Sequence, residues 1–93
     1  MAQIALLDNR WKITGDIEIV NANALLQASK GLQMPQHAIV DFANVIEIDT
    51  AAISLILEWK RRALAENKQL EFVNFPANLI SLTQLYGVAD LIQ

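Results

Sequence analysis

Apolar residues first recur in two short runs on either side of Asn9. Residues 3 to 8 read Gln-Ile-Ala-Leu-Leu-Asp, and in residues 10 to 14 Trp11 and Ile13 alternate with Arg10, Lys12 and Thr14. Two such runs around a polar break predict an antiparallel hairpin with one wet side, ended by Gly15-Asp16. From about Val20 the period lengthens. Ala22, Leu25, Leu26, Ala28 and Leu32 predict a helix to Leu32, with Asn21 or Asn23 capping its start and Gly31 near its end. Gln33-Met34-Pro35-Gln36 reads as a turn. Ala38-Ile39-Val40-Asp41-Phe42 then forms a nearly continuous apolar strand, the pattern of a central strand covered on both faces.

Val45-Ile46-Glu47-Ile48 reads as a short connection, and Asp49-Thr50 marks a helix start. The segment Ala51 to Glu66 contains no Gly or Pro. Ala52, Leu55, Ile56, Trp59 and Ala63 share one helical stripe, widened by Ile53, Leu57 and Leu64, with Glu58, Lys60, Arg61, Arg62 and Glu66 mostly opposite. Asn67-Lys68 closes this second helix, and Leu70 to Phe75 is a fourth strand that Pro76 ends. Asn78 to Tyr86 carries Leu79, Ile80, Leu82, Leu85 and Tyr86 at helical spacing, stopped by Gly87. The order strand-strand-helix-strand-helix-strand-helix predicts one α/β domain over residues 1–93. Its mixed sheet opens with the hairpin and continues through two right-handed crossovers.

Composition narrows what such a domain does. With 93 residues, 54% of them apolar and 18% charged, the chain is globular and holds a single core. It has no Cys, hence no disulfide, thiolate metal site or cysteine nucleophile. No apolar run approaches the roughly 20 residues that span a bilayer. The opening residues lack the basic and long apolar regions of a secretory signal, so a cytoplasmic address is expected. A net charge of −3 is the wrong sign for a phosphate-binding surface and argues against nucleic acid as a partner.

Candidate chemistry is sparse. His37 is the single histidine, so a triad or zinc site lacks its usual parts. Asp41, Glu47 and Asp49 lie within nine residues but without calcium-loop spacing, and read as solvated or capping carboxylates. Gly15, Gly31 and Gly87 are too scattered for a phosphate loop. A non-enzymatic protein without cofactor or metal is therefore expected. Lys60-Arg61-Arg62 fans around the second helix and reads as a solvated face, with Glu58 spaced to pair with Arg61 or Arg62. Trp59 reads as core. Asp49-Thr50 is the richest position: either side-chain oxygen suits the helix N-terminus, and a hydroxyl there is open to a partner or to phosphorylation.

Ile13-Thr14-Gly15-Asp16, the run Ala38 to Phe42 leading to Ile48-Asp49-Thr50-Ala51-Ala52-Ile53, and Leu70 to Phe75 with Leu85-Tyr86-Gly87-Val88 together resemble a STAS domain. The resemblance implies a four-to-five-stranded sheet with about three helices packed mainly on one side, no enzymatic activity, and a partner surface centred before the second helix. The family motif Asp-Ser/Thr-Ser/Thr-Gly-Leu maps its phosphorylated hydroxyl onto Thr50; Ala51 and Ala52 replace the second hydroxyl and the glycine. The chain looks most like the branch that serves an Mla-type phospholipid ABC transporter, which implies the transporter ATPase as partner and contact with the membrane only through it. The alternative is an anti-sigma-factor antagonist whose kinase partner is released when Thr50 is phosphorylated. In either case the expected surface is the segment Val45 to Thr50 and the first turns of the second helix, with Glu47, Asp49, Thr50, Ser54, Glu58, Arg61 and Arg62. Tyr86 and Val88 to Ile92 are expected to lie against that helix or the sheet edge.

Overall fold

A computed structural model of the chain describes residues 2–87, so the expectation for Val88 to Ile92 lies outside the described residues. The elements follow the predicted order: β1 (Gln3–Leu7), β2 (Arg10–Ile17), α1 (Ile19–Lys30), β3 (His37–Ile48), α2 (Ala51–Ala65), β4 (Gln69–Val73) and α3 (Ala77–Leu85). The four strands lie in the order β1-β2-β3-β4, with β1 antiparallel to β2 and β3 parallel to both of its neighbours. The hairpin turns on Asp8 and Asn9, with Asp8 at a φ of 58°, a conformation that Asp tolerates better than most residues.

Strand alternation sends one side chain in two to the core. Trp11 and Ile13 of β2 and Ala38, Val40 and Phe42 of β3 are buried, with Ile4, Leu6, Leu70 and Phe72 packed against them. The same cluster takes in Leu25 of α1, Ile56 and Trp59 of α2, and Leu79 of α3, which sets all three helices on one face of the sheet. β3 is therefore covered by helices on one face, not two. Ile39 and Asp41 point to the opposite face, and the apolar run misled because Ile39 is only half buried there.

Two further elements differ from expectation. β2 runs on through Gly15, which holds a φ of 89° that favours glycine, and ends at Ile17. β3 runs on to Ile48, so Val45 to Ile48 is strand and not a connection. Against β2 the register of β3 slips twice: Lys12 and Thr14 face Asp41 and Asn44, and Gly15 and Ile17 face Val45 and Ile48. Each slip inserts one extra residue into β3 and shifts the inward parity, which carries Val45 and Ile48 to the core and leaves Ile46 and Glu47 outside. A period-2 reading fails across such bulges.

Asp41 holds the first bulge. Its carboxylate accepts the Ala43 N–H at 2.9 Å, the Asn74 amide at 3.0 Å and the Arg10 guanidinium at 2.8 Å, tying β2, β3 and the end of β4 together on the open face. Burial alone raises its pKa, but the Asn74, Ala43 and Arg10 donors outweigh that and hold it below the usual 3.8. A folded-state value lowered in this way contributes stability above the unfolded pKa and loses it as the pH falls through the folded one. Asp41→Ala, which strands those donors, is expected to cost about 2–4 kcal/mol in urea unfolding at pH 7. Asp41→Asn should flatten the loss of stability that the wild-type chain shows below about pH 4, and an unchanged acid slope would refute this role.

Candidate functional site

At the end of β3, Ile48 is buried and the chain turns into α2 through Asp49 and Thr50. The Asp49 N–H donates to the Ile17 carbonyl at 3.0 Å, which pins the turn to the end of β2. Its carboxylate serves two helices. One oxygen accepts the Ala51 N–H at 2.8 Å, and the other accepts the Ile19 N–H at 3.0 Å, the first residue of α1. Either Asp49 or Thr50 suited the cap by residue type, and the structure gives the task to Asp49. Thr50 is already helical, at φ −63° and ψ −19°; its side chain is exposed and makes no capping bond. At the start of α1, neither Asn21 nor Asn23 is the cap. Glu18 is, in a reciprocal pair in which the Asn21 side chain accepts the Glu18 N–H at 2.8 Å.

The first turns of α1 and α2 run side by side and leave a cavity of about 330 Å³ between them. Ile19, Ala22 and Leu26 of α1 face Ala51 and Leu55 of α2 across its floor, while Asn23, Thr50, Ser54 and Glu58 form a polar rim. Thr50, Ser54 and Glu58 recur every four residues, so they form one edge of α2. Ala22, Ala51 and Ser54, which line the cleft from the two helices, are small and leave it room. It closes further along, where the Trp59 ring N–H donates to the Ser29 hydroxyl at 2.9 Å.

Arg61 is exposed and pairs with Glu58 at 2.7 Å, an i,i+3 contact that places it at this edge. Glu47 is exposed on the second bulge of β3, on the segment leading into the site. Arg62 does something else. It donates to the Ser29 and Leu32 carbonyls at 2.9 and 2.8 Å, pairs with Glu66 at 2.7 Å and lies 5.5 Å from the centre of the Trp11 ring. Its guanidinium thus closes the C-terminal end of α1 and belongs to the fold, since these bonds withdraw it from a partner.

Three exposed apolar residues were not singled out in the sequence: Ile19 at 78% and Val20 at 88% exposure at the start of α1, and Ile46 at 76% on β3, inside the expected segment Val45 to Thr50. Ile46 was hidden in a segment taken for a connection, and Ile19-Val20 sat just before the periodic part of α1. Two exposed apolar residues at a helix start, ahead of its inward stripe, were the available signal. His37 lies at the other end of β3, exposed and 3.9 Å from Glu71. Among the described residues no group of three or more His, Asp, Glu or Cys side chains is placed to hold a metal ion, and no helix is long and apolar enough to cross a membrane.

A family model described as "Mlab, STAS domain" matches residues 4–93. The chain belongs to the STAS-domain family. STAS domains are typically binding or regulatory modules that act through protein–protein interactions. In structure, the domain resembles the anti-sigma factor antagonist SpoIIAA in its unphosphorylated form, with a TM-score of 0.65 at 15% identity over 97% of this chain and 84% of that one. It also resembles two crystal structures of Mglu, one in its native form. Each has a TM-score of 0.60, with 24% and 21% identity over 81% and 78% of this chain. It spans only about a fifth of the Mglu chains, 20% and 22%. At these identities the likeness establishes the fold. No curated protein matches the chain in sequence.

In this STAS domain the two residues of the Asp-Thr pair should separate in a stability assay. Thr50→Ala is expected to cost less than about 0.5 kcal/mol, whereas Asp49→Ala, which frees two helix N-terminal N–H groups, should cost about 1–2 kcal/mol. Thermal melts of both variants decide it, and equal losses would return a share of the capping to Thr50.

Proposed function

We propose that this STAS domain is a non-enzymatic subunit that binds and supports the ATPase of a phospholipid-trafficking ABC transporter, held through that partner at the inner face of the inner membrane. The observation that carries the reading is the exposed Thr50 hydroxyl, freed from capping by Asp49, on the rim of an apolar cleft bordered by Ile19 and Ser54. Apolar floor, small polar rim and the exposed Ile19 and Val20 at the start of α1 suit contact with another protein's surface. Glu47, Thr50, Ser54, Glu58 and Arg61 form the contact edge, Asp49 supports it from behind, and Arg62 is left to the fold. The name Mlab on the matched family points to the transporter, and so does Ala52. Fully buried at the start of α2, Ala52 stiffens the segment where the switch motif carries a glycine.

A second reading has one observation in its favour. The Thr50 hydroxyl is accessible to a kinase in a fold like that of SpoIIAA, which suits an anti-sigma-factor antagonist switched by phosphorylation. Affinity purification of the tagged chain, co-expressed with the ATPase of such a phospholipid transporter, tests the two together. The ATPase should be retained by the wild-type chain and lost from Ser54→Arg, which fills the cleft without touching the core, at an unchanged melting temperature. Arg61→Glu should weaken retention through the rim, chiefly at low salt. A chain that ignores the ATPase but takes phosphate onto Thr50 from a partner kinase would give the answer to the second reading.

A further inference from the structure

The cleft has two walls, and one side chain spans the gap between their starting points. Within the first turn of α1, Glu18 and Asn21 satisfy one another, and the Glu18 carbonyl takes the Asn21 and Ala22 N–H groups at 3.0 and 2.8 Å. The Ile19 N–H instead crosses to Asp49. The Ile19 side chain, 78% exposed, adds little packing to hold that end down. On the α2 side the Ala51, Ala52 and Ile53 N–H groups go to the Asp49 carboxylate, the Asp49 carbonyl and the Thr50 carbonyl. One carboxylate therefore sits against the positive ends of two helices, where a negative charge is favoured by both. Beyond it, hydrogen bonds join the walls again where Trp59 and Arg62 of α2 both donate to Ser29, past the far end of the cleft.

From this arrangement we infer that Asp49 is a positioning residue: by holding the starts of α1 and α2 to one carboxylate, it sets the width of the cleft and so the affinity of the surface, without touching the partner. The bearing on affinity rests on the function proposed above; the coupling of the two helices does not. Loss of the Asp49–Ile19 bond would let the first turn of α1, with Ile19 and Val20, move away from Thr50 and Ser54. The cap of α2 is separable from this, because a serine hydroxyl makes the same bond to the N–H two residues on but offers no second oxygen to reach Ile19.

Asp49→Ser is accordingly the decisive variant, with Asp49→Ala as the one that loses both bonds. In amide hydrogen exchange of the isolated chain, Asp49→Ser should speed the Ile19 amide about five- to tenfold while leaving Ala51 and Val40 near wild type. The methyl resonances of Ala22 and Leu26 in the cleft should shift, and those of Ala63 should not. Retention of the ATPase should fall about tenfold at a melting temperature within about 3 °C of wild type. An unchanged Ile19 amide overturns the coupling. A fast Ile19 amide with shifted cleft methyls and full retention overturns its bearing on affinity. A wild-type chain that fails to retain the ATPase counts against the proposed function, while the coupling is still decided by the exchange.

Discussion

The two tryptophans meet edge to face, their centroids 5.9 Å apart and their planes at 77°, and the rest of the helical layer is arranged around that contact. Both are fully buried, Trp11 on β2 and Trp59 on α2, so the pair fixes the height of α2 above the sheet. Such a pair adds about 0.5–1.5 kcal/mol beyond the area it buries, and its larger effect here is geometric. Each indole N–H needs a partner once buried. Trp11 donates to the Gln33 carbonyl at 3.1 Å in the turn after α1, and Trp59 donates to the Ser29 hydroxyl within α1. Satisfying two ring nitrogens therefore brings α1 against α2. Arg62, stacked over Trp11 and bonded to Ser29 and Leu32, seals the same end.

With one end of the helix pair locked by aromatic packing and a guanidinium, the other end is held by a carboxylate. Asp49 is a lighter fastening than the Trp-Ser-Arg cluster, and the cleft opens between the two. The aromatic cluster lies past the far end of the cleft, so the rim residues are polar and small without weakening that part of the interior. Ser54 and Thr50 are exposed on a helix whose opposite stripe, from Ala52 to Trp59, is buried.

Element order was legible in the sequence because period-2 and period-3.6 patterns separate cleanly where each element has one wet side. β1, the start of β2 and α2 follow that rule, and so does the stop at Gly87, which holds a φ of 69°; α3 forms where its spacing predicts, but of its apolar residues Leu79 is buried while Ile80, Leu85 and Tyr86 are exposed. Asn67, at a φ of 56°, closes α2 in the way the Asn67-Lys68 pair suggested, with the Lys68 N–H returning to the Ala63 carbonyl at 2.8 Å. Legibility failed where long-range partners overrode local pattern. Nothing near Val45 announces the two bulges, because they arise from matching β3 to the shorter path of β2. Arg62 looks like its neighbour Arg61 in sequence, and only the carbonyls at the end of α1 make it different. The bond from Asp49 to Ile19 spans thirty residues. Asp49 and Thr50 were both plausible caps by residue type, and the choice between them was tertiary.

That choice decides what position 50 presents to its surroundings. A helix N-terminus ordinarily welcomes a negative charge because its first N–H groups are free. Here they are not: Ala51, Ala52 and Ile53 all have acceptors supplied by Asp49 and Thr50 themselves. A second anion at residue 50 finds the dipole but no unused donor, and it faces the Asp49 carboxylate across one residue. Like charges so close disfavour each other, and relief comes by drawing Asp49 away from Ala51 or Ile19. The neutral threonine avoids that conflict while keeping a hydroxyl that both donates and accepts. In a dry contact, a neutral hydroxyl costs far less to desolvate than a carboxylate, so the same substitution of charge for hydroxyl that the helix resists is also the one a packed partner surface rejects.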